Sequence, residues 1–224
     1  MSASLALTAL ALTTVFFTVP SEAHGEGGQI IDRATGTSFD GMTQVEAQSF
    51  KCVGAGVRKL LLANVYAVAF YVEVARADAL VEGYVQDHHA GLRGDALFEA
   101  LRKDPKFFRM LASAKANRLA VLKMRRDLSQ RQLTDNIRRS LRNLLSDEKL
   151  DKLTGAITAG AKKGQIVKIY ALGNRLTVDV AGALRVINDE EVTRKLFLVW
   201  LGSKSVSPTL REDVARRAAQ LSDL

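Results

Sequence analysis

Hydrophobic positions along this chain follow two rhythms. A period of two dominates residues 65–74, where Tyr66, Val68, Phe70 and Val72 alternate with Val65, Ala67, Ala69 and Tyr71. β-Branched and aromatic side chains at that spacing predict a strand, one face lining the interior and the other meeting helices or solvent. Residues 48–59 keep the rhythm but are interrupted at Gly54-Ala-Gly56, which predicts two short strands around a tight turn or bulge. A short strand is expected at Gln29-Ile30-Ile31 and a weaker one over 119–123. Three alternating runs at 165–172, 175–180 and 183–187, joined through Gly173-Asn174 and Ala181-Gly182, predict an antiparallel meander.

The second rhythm is helical. Asp104 as N-cap with Pro105 in the first turn predicts a helix to about Asn117, its stripe made by Phe107, Phe108, Leu111 and Ala114. Ser129 and Gln132 fit a capping box ahead of Leu133, Ile137, Leu141, Leu144 and Leu145. Ser146 caps another helix, with Leu150, Leu153 and Ile157 inward and an end near Gly164. Asn188 or Asp189 starts a helix to Leu201, stopped by Gly202, and Ser207-Pro208 starts the last. Strands, helices, then strands and helices again imply an α+β domain. Its sheet is mainly antiparallel, its helices gather on one face, and the cleft between them is a natural ligand site.

Composition narrows the chemistry. Of 224 residues, 47% are hydrophobic and 25% charged, with three prolines, which excludes disordered and collagen-like classes. One cysteine, Cys52, cannot form an internal bridge and is expected buried in a strand. With only three histidines the chain argues against a zinc-finger or multi-histidine metal site, and no cofactor is expected. His88-His89, beside Asp87 and Gly91, reads as a loop with surface histidines, a haem or metal ligand role being the alternative.

The apolar run before Pro20, closed by Ser21-Glu-Ala23, reads as a secretory leader cut after Ala23, although no Lys or Arg precedes it. A membrane anchor is the other reading. Export to the periplasm or beyond is therefore expected. The leader occupies 1–23, a linker 24–28 and the domain 29–220, with a charged helical insertion at about 78–118. Net charge is +8, and thirteen Lys/Arg stand against three acids within residues 101–142. That block is first a solvated basic face and second a surface for anionic membranes. No nucleic-acid motif accompanies it, and no nucleic-acid partner is expected.

Gly54-Ala-Gly56-Val-Arg58-Lys59, then Asn64-Val-Tyr66 through Glu73, resembles the chalcone isomerase-like family. The resemblance continues through Leu128 to Asn136, the meander and Val199-Trp-Leu-Gly202 to Pro208, and it is similar to bacterial exported members. It implies an antiparallel sheet with helices packed against it. It also implies one of two functions: the isomerases close a chalcone to a flavanone, while the fatty-acid-binding relatives hold an acyl chain without known catalysis.

Arg58 matches the family arginine that polarises the substrate carbonyl in the enzymes and pairs with the carboxylate in the lipid binders. Pairing with a nearby acid of the chain itself is the alternative. Tyr66 matches the enzyme's threonine and resembles the lipid binders' tyrosine. Asn136 matches the family asparagine, or else is a polar position on the outer helix face. Leu128-Ser129 replaces the enzyme's tyrosine, and Val199 replaces a hydroxyl residue, so two groups that position substrate are missing. The expectation is a non-catalytic binder of a fatty acid or similar small amphiphile through Arg58, Tyr66 and Asn136. The alternative is an isomerase with Arg58 and Asn136 as catalytic residues. Trp200 and Tyr71 read as core.

Overall fold

The structure, a computed structural model, describes residues 28–221; the expected leader lies outside the described residues. Four strands come first: β1 (Gln29–Asp32), β2 (Thr37–Asp40), β3 (Met42–Val45) and β4 (Gln48–Leu60). β5 (Ala63–Glu73) runs directly into α1 (Val74–His88), followed by α2 (Gly94–Lys103) and α3 (Pro105–Ser113). Then come β6 (Arg118–Met124), α4 (Gln130–Leu141), α5 (Asp147–Gly155), β7 (Ile166–Leu172), β8 (Arg175–Val180) and β9 (Ala183–Asn188). The chain closes with α6 (Glu190–Lys195), α7 (Leu198–Leu201) and α8 (Pro208–Leu221).

β3 to β9 form one seven-stranded sheet in sequence order, every neighbouring pair antiparallel. The α+β class and the helix-covered face are as expected. Alternation along β5 divides the core. Tyr66, Val68, Phe70 and Val72 pack under the helices, with Phe107, Phe108, Leu111 and Trp200 in the same cluster. Ala67, Ala69 and Tyr71 face the other way, into a smaller cluster that the β1–β2 hairpin covers with Ile30 and Phe39. Cys52 is buried there and unpaired, and burial pushes its thiol up to about 12, too high for a reactive thiolate.

Gly54 and Gly56 do not break a strand in two, as their spacing suggests. β4 is continuous, with a register shift between Cys52 and Gly54. The reason for glycine is α8, which lies across β4: a Cβ on Gly56 would sit 2.3 Å from the Leu210 backbone nitrogen. Past Lys51, β4 has lost its β3 partner, and α8 side chains satisfy its backbone. The Ala55 N–H donates to Asp213 Oδ2 and the Val57 N–H to Thr209 Oγ1, both at 2.9 Å, while Ser207 Oγ donates to the Val57 carbonyl. A helix thus closes a sheet edge that would otherwise be open for pairing.

Helix starts agree with the sequence better than helix ends do. Asp104 accepts from the Lys106 amide, Ser129 and Gln132 form the reciprocal capping box, and Ser146 and Asp189 cap α5 and α6. The ends fall short: α3 stops at Ser113 rather than near Asn117, α4 at Leu141, and α5 at Gly155 rather than near Gly164. The helix expected from Asp189 to Leu201 is two pieces, α6 and α7, and β3 carries no alternation long enough to read.

His88 is not in a loop but ends α1, its ring stacked on Tyr84 at 4.2 Å. His89 Nε2 lies 3.1 Å from Asp104, which also accepts from Tyr84 Oη at 2.6 Å, so this pair ties α1 to the start of α3. Most cations of the basic block are solvated, as its first reading expects, with particular exceptions. Arg118 is buried, 5.1 Å from the Phe197 ring centre, donating to the Ala112 and Ala116 carbonyls, and burial lowers it to about 10. Arg138 pairs with Asp151, and Arg102 with Glu99.

Candidate functional site

The register of three strands builds the site. Arg58 on β4 pairs with Tyr66 on β5, and Tyr66 pairs with Met124 on β6, so the three side chains form one row on the helix-covered face. The Arg58 guanidinium carbon lies 5.8 Å from the Tyr66 ring centre. Behind this row the floor continues as Leu122, Val167, Val178 and Val180, and the helices close over it. α4 contributes Leu133, Asn136 and Ile137, which share a face because they are three and four residues apart. Leu153, Val199 and Trp200 complete the roof.

What remains between floor and roof is a narrow slot lined almost wholly by carbon. The slot has a cavity volume of about 80 Å³, room for a handful of waters or a thin hydrocarbon chain. Arg58 and Asn136 also line an adjoining polar vestibule of about 110 Å³, together with Leu60, Arg126, Asp127 and Gln132. These two residues therefore stand at the neck between the vestibule and the hydrocarbon slot. Asn136 is half-buried at this neck, not on an outer face.

Trp200 belongs to the site as well as to the core. Its indole N–H donates to Tyr66 Oη at 3.0 Å inside the slot, a contact between residues 134 positions apart. Burial pushes the Tyr66 phenol up, against the lowering influence of the Arg58 guanidinium and the Trp200 N–H. The phenol stays protonated. Both its neighbours are donor-only groups, so its oxygen is the acceptor and its own O–H is free to donate to a third group. Among the described residues Arg58 forms no ion pair. The acid sharing its vestibule, Asp127, is taken by the Lys163 amide at 2.8 Å and Lys162 Nζ at 3.4 Å.

A wider groove between β4, α1 and α8 offers about 520 Å³ by the same measure, but its charges are mutually satisfied. Lys51 holds Asp78 at 2.7 Å, and Arg217 holds Asp213 at 2.8 Å. No cluster of three or more metal-ligating side chains occurs among the described residues.

The fold has a counterpart in a solved structure. A fatty-acid binding protein of Arabidopsis thaliana superposes with a TM-score of 0.67, over 88% of this chain and 100% of that one, at 19% sequence identity. The fold is that of chalcone isomerase. No family model and no curated protein gives a match to the sequence itself. Of Leu128-Ser129 and Val199, which stand where the resemblance to the isomerases implies hydroxyl residues, Leu128 and Val199 line the slot with hydrocarbon.

Proposed function

We propose that this protein is an exported, non-catalytic carrier of a fatty acid or a similar amphiphile with an acidic head. The acyl chain occupies the slot, and the carboxylate sits at its neck, held by Arg58, the Tyr66 O–H and the Asn136 amide. One observation carries the reading. At the end of a carbon-lined slot stand a guanidinium without an ion pair, whose neighbouring acceptor is the neutral Tyr66 oxygen, and a phenol whose own proton is free to donate to a third group. A carboxylate supplies what both lack, and a charged bidentate acceptor suits guanidinium best. The neighbouring fold's fatty-acid binding supports the same assignment.

The test is displacement of a fluorescent long-chain fatty acid, with native mass spectrometry of protein purified without detergent. Arg58→Ala is expected to weaken binding by about 1.5–3 kcal/mol, roughly 10- to 150-fold, while the circular dichroism spectrum stays unchanged. Equal affinity in the variant would remove Arg58 from the head-group site. The expected export is checked separately, by fractionation and the N-terminal sequence of the mature chain.

A further inference from the structure

We propose that the β4–β5 hairpin tip is a wedge that docks the mouth of the slot onto an anionic phospholipid bilayer. Leu60 and Ala63 form the last pair of the ladder, so Leu61 and Leu62 are the two central residues of the turn. Leu61 has φ of +54°, a left-handed conformation that glycine adopts freely and a leucine resists. Two-residue hairpins with positive φ at the first position call for glycine there. Instead the turn presents leucines 93% and 101% exposed, followed back along β4 by Leu60 at 48%. At these exposures Leu61 and Leu62 bury almost no surface that could offset either the strain or the exposure. Local rules broken without structural compensation are a mark of function.

The surroundings say what the wedge meets. In this antiparallel sheet the tip shares one end with the close of β6, the start of β7 and the β8–β9 turn. Ile166 and Leu184 are exposed at that end. So are Lys59, Arg125, Arg126, Lys162 and Lys163. Two acids lie there, and both are engaged: Asp127 with Lys162 and Lys163, and Asp179 with the Gly182 amide.

Projecting leucines ringed by cations match an interface whose surface is anionic and whose interior is hydrocarbon. A projection two residues wide offers a protein partner far less than the roughly 800 Å² a side of a stable interface. Leu60 also lines the vestibule beside Arg58 and Asn136, so a docked tip puts that opening against the lipid. That ligand passes from bilayer to slot rests on the carrier reading above; the docking itself does not.

The experiment is flotation of the full-length mature chain with phosphatidylcholine vesicles, with and without phosphatidylglycerol, beside Leu61→Gly/Leu62→Ser. This double variant has the residues the turn prefers, so its Tm should equal or exceed that of wild type. Wild type is expected to float with the anionic vesicles only, and the variant to lose association by more than about tenfold. Fatty-acid binding in vesicle-free solution, followed by Trp200 fluorescence, should be the same in both, which separates failure of docking from failure of the carrier reading. Equal flotation of the two proteins, or equal binding to neutral vesicles, would overturn the proposal. So would self-association of wild type that the variant abolishes without any flotation, which would make the tip a contact between copies.

Discussion

Removing one oxygen from the slot gives the sharpest test of how its polar end is built. Tyr66→Phe keeps the ring and deletes the acceptor of the Trp200 indole N–H, a 3.0 Å bond between two residues 3% and 4% exposed. A buried donor left without a partner costs about 1–3 kcal/mol. For a chain of this size that lowers Tm by about 2–4 °C per kcal/mol. Trp200 is the single tryptophan in the chain, so urea unfolding followed by its emission reports from inside the slot. Trp200→Phe and the double variant, followed by far-UV circular dichroism, complete the cycle. The packing lost with the indole cancels there, and the hydrogen bond should appear as a coupling of about 0.5–1.5 kcal/mol. A coupling below about 0.3 kcal/mol, or a Tyr66→Phe protein as stable as wild type, would refute the argument. Because Arg58 keeps its charge, Tyr66→Phe should weaken carboxylate binding less than Arg58→Ala does.

Two further predictions concern the scaffold. Gly56→Ala places a methyl 2.3 Å from the Leu210 backbone nitrogen, so α8 must shift. The expected loss is about 3 kcal/mol or more by urea denaturation, the upper end for overpacking, and a loss under about 1 kcal/mol would mean α8 slides freely over β4. Asp189 is held down at about 2: burial opposes its charge, but Lys149, the Val192 amide and Lys152 outweigh that cost. Its folded value lies below its ordinary 3.8, so its stabilisation is present above about pH 4 and is lost as pH falls toward 2. With both lysines partly solvated, Asp189→Asn should cost about 1–2 kcal/mol at neutral pH and converge with wild type near pH 2. Parallel stability curves for the two proteins from pH 7 to about 2 would exclude that role.

The parts of this fold legible in the sequence are those fixed by near neighbours. Asp104-Pro105, Ser129 with Gln132, and Ser146 each satisfy backbone donors two or three residues on, so caps could be read and helix starts placed. Helix ends depend on what packs over them, and α3, α4 and α5 all stop early. Gly54 and Gly56 announced themselves as unusual, but the cause is α8, more than 150 residues away, which no local pattern encodes. Arg58 and Tyr66 could be singled out, and each sits at the slot. Their adjacency follows from the β4–β5 register, set by the short turn at Leu61-Leu62. From sequence alone Trp200 reads as core because its partner is remote; its lone N–H, a donor that burial obliges to find an acceptor, is the one available signal.

The slot's inventory also limits what chemistry could occur in it. Among its described lining residues the only polar side chains are Arg58, Tyr66, Asn136 and Trp200. Arg58 and Trp200 are donor-only, and burial keeps the Tyr66 proton in place. The amide oxygen of Asn136 accepts hydrogen bonds but is no base near neutral pH. No histidine, carboxylate, lysine or thiol lines the slot, and the vestibule's Asp127 is already engaged. The slot's walls offer donors that can hold and polarise an oxygen, charged or neutral. The fatty-acid carboxylate proposed above would match such a site, with an electron-rich head for the three donors Arg58, Tyr66 and Asn136 and a tail for the hydrocarbon behind them.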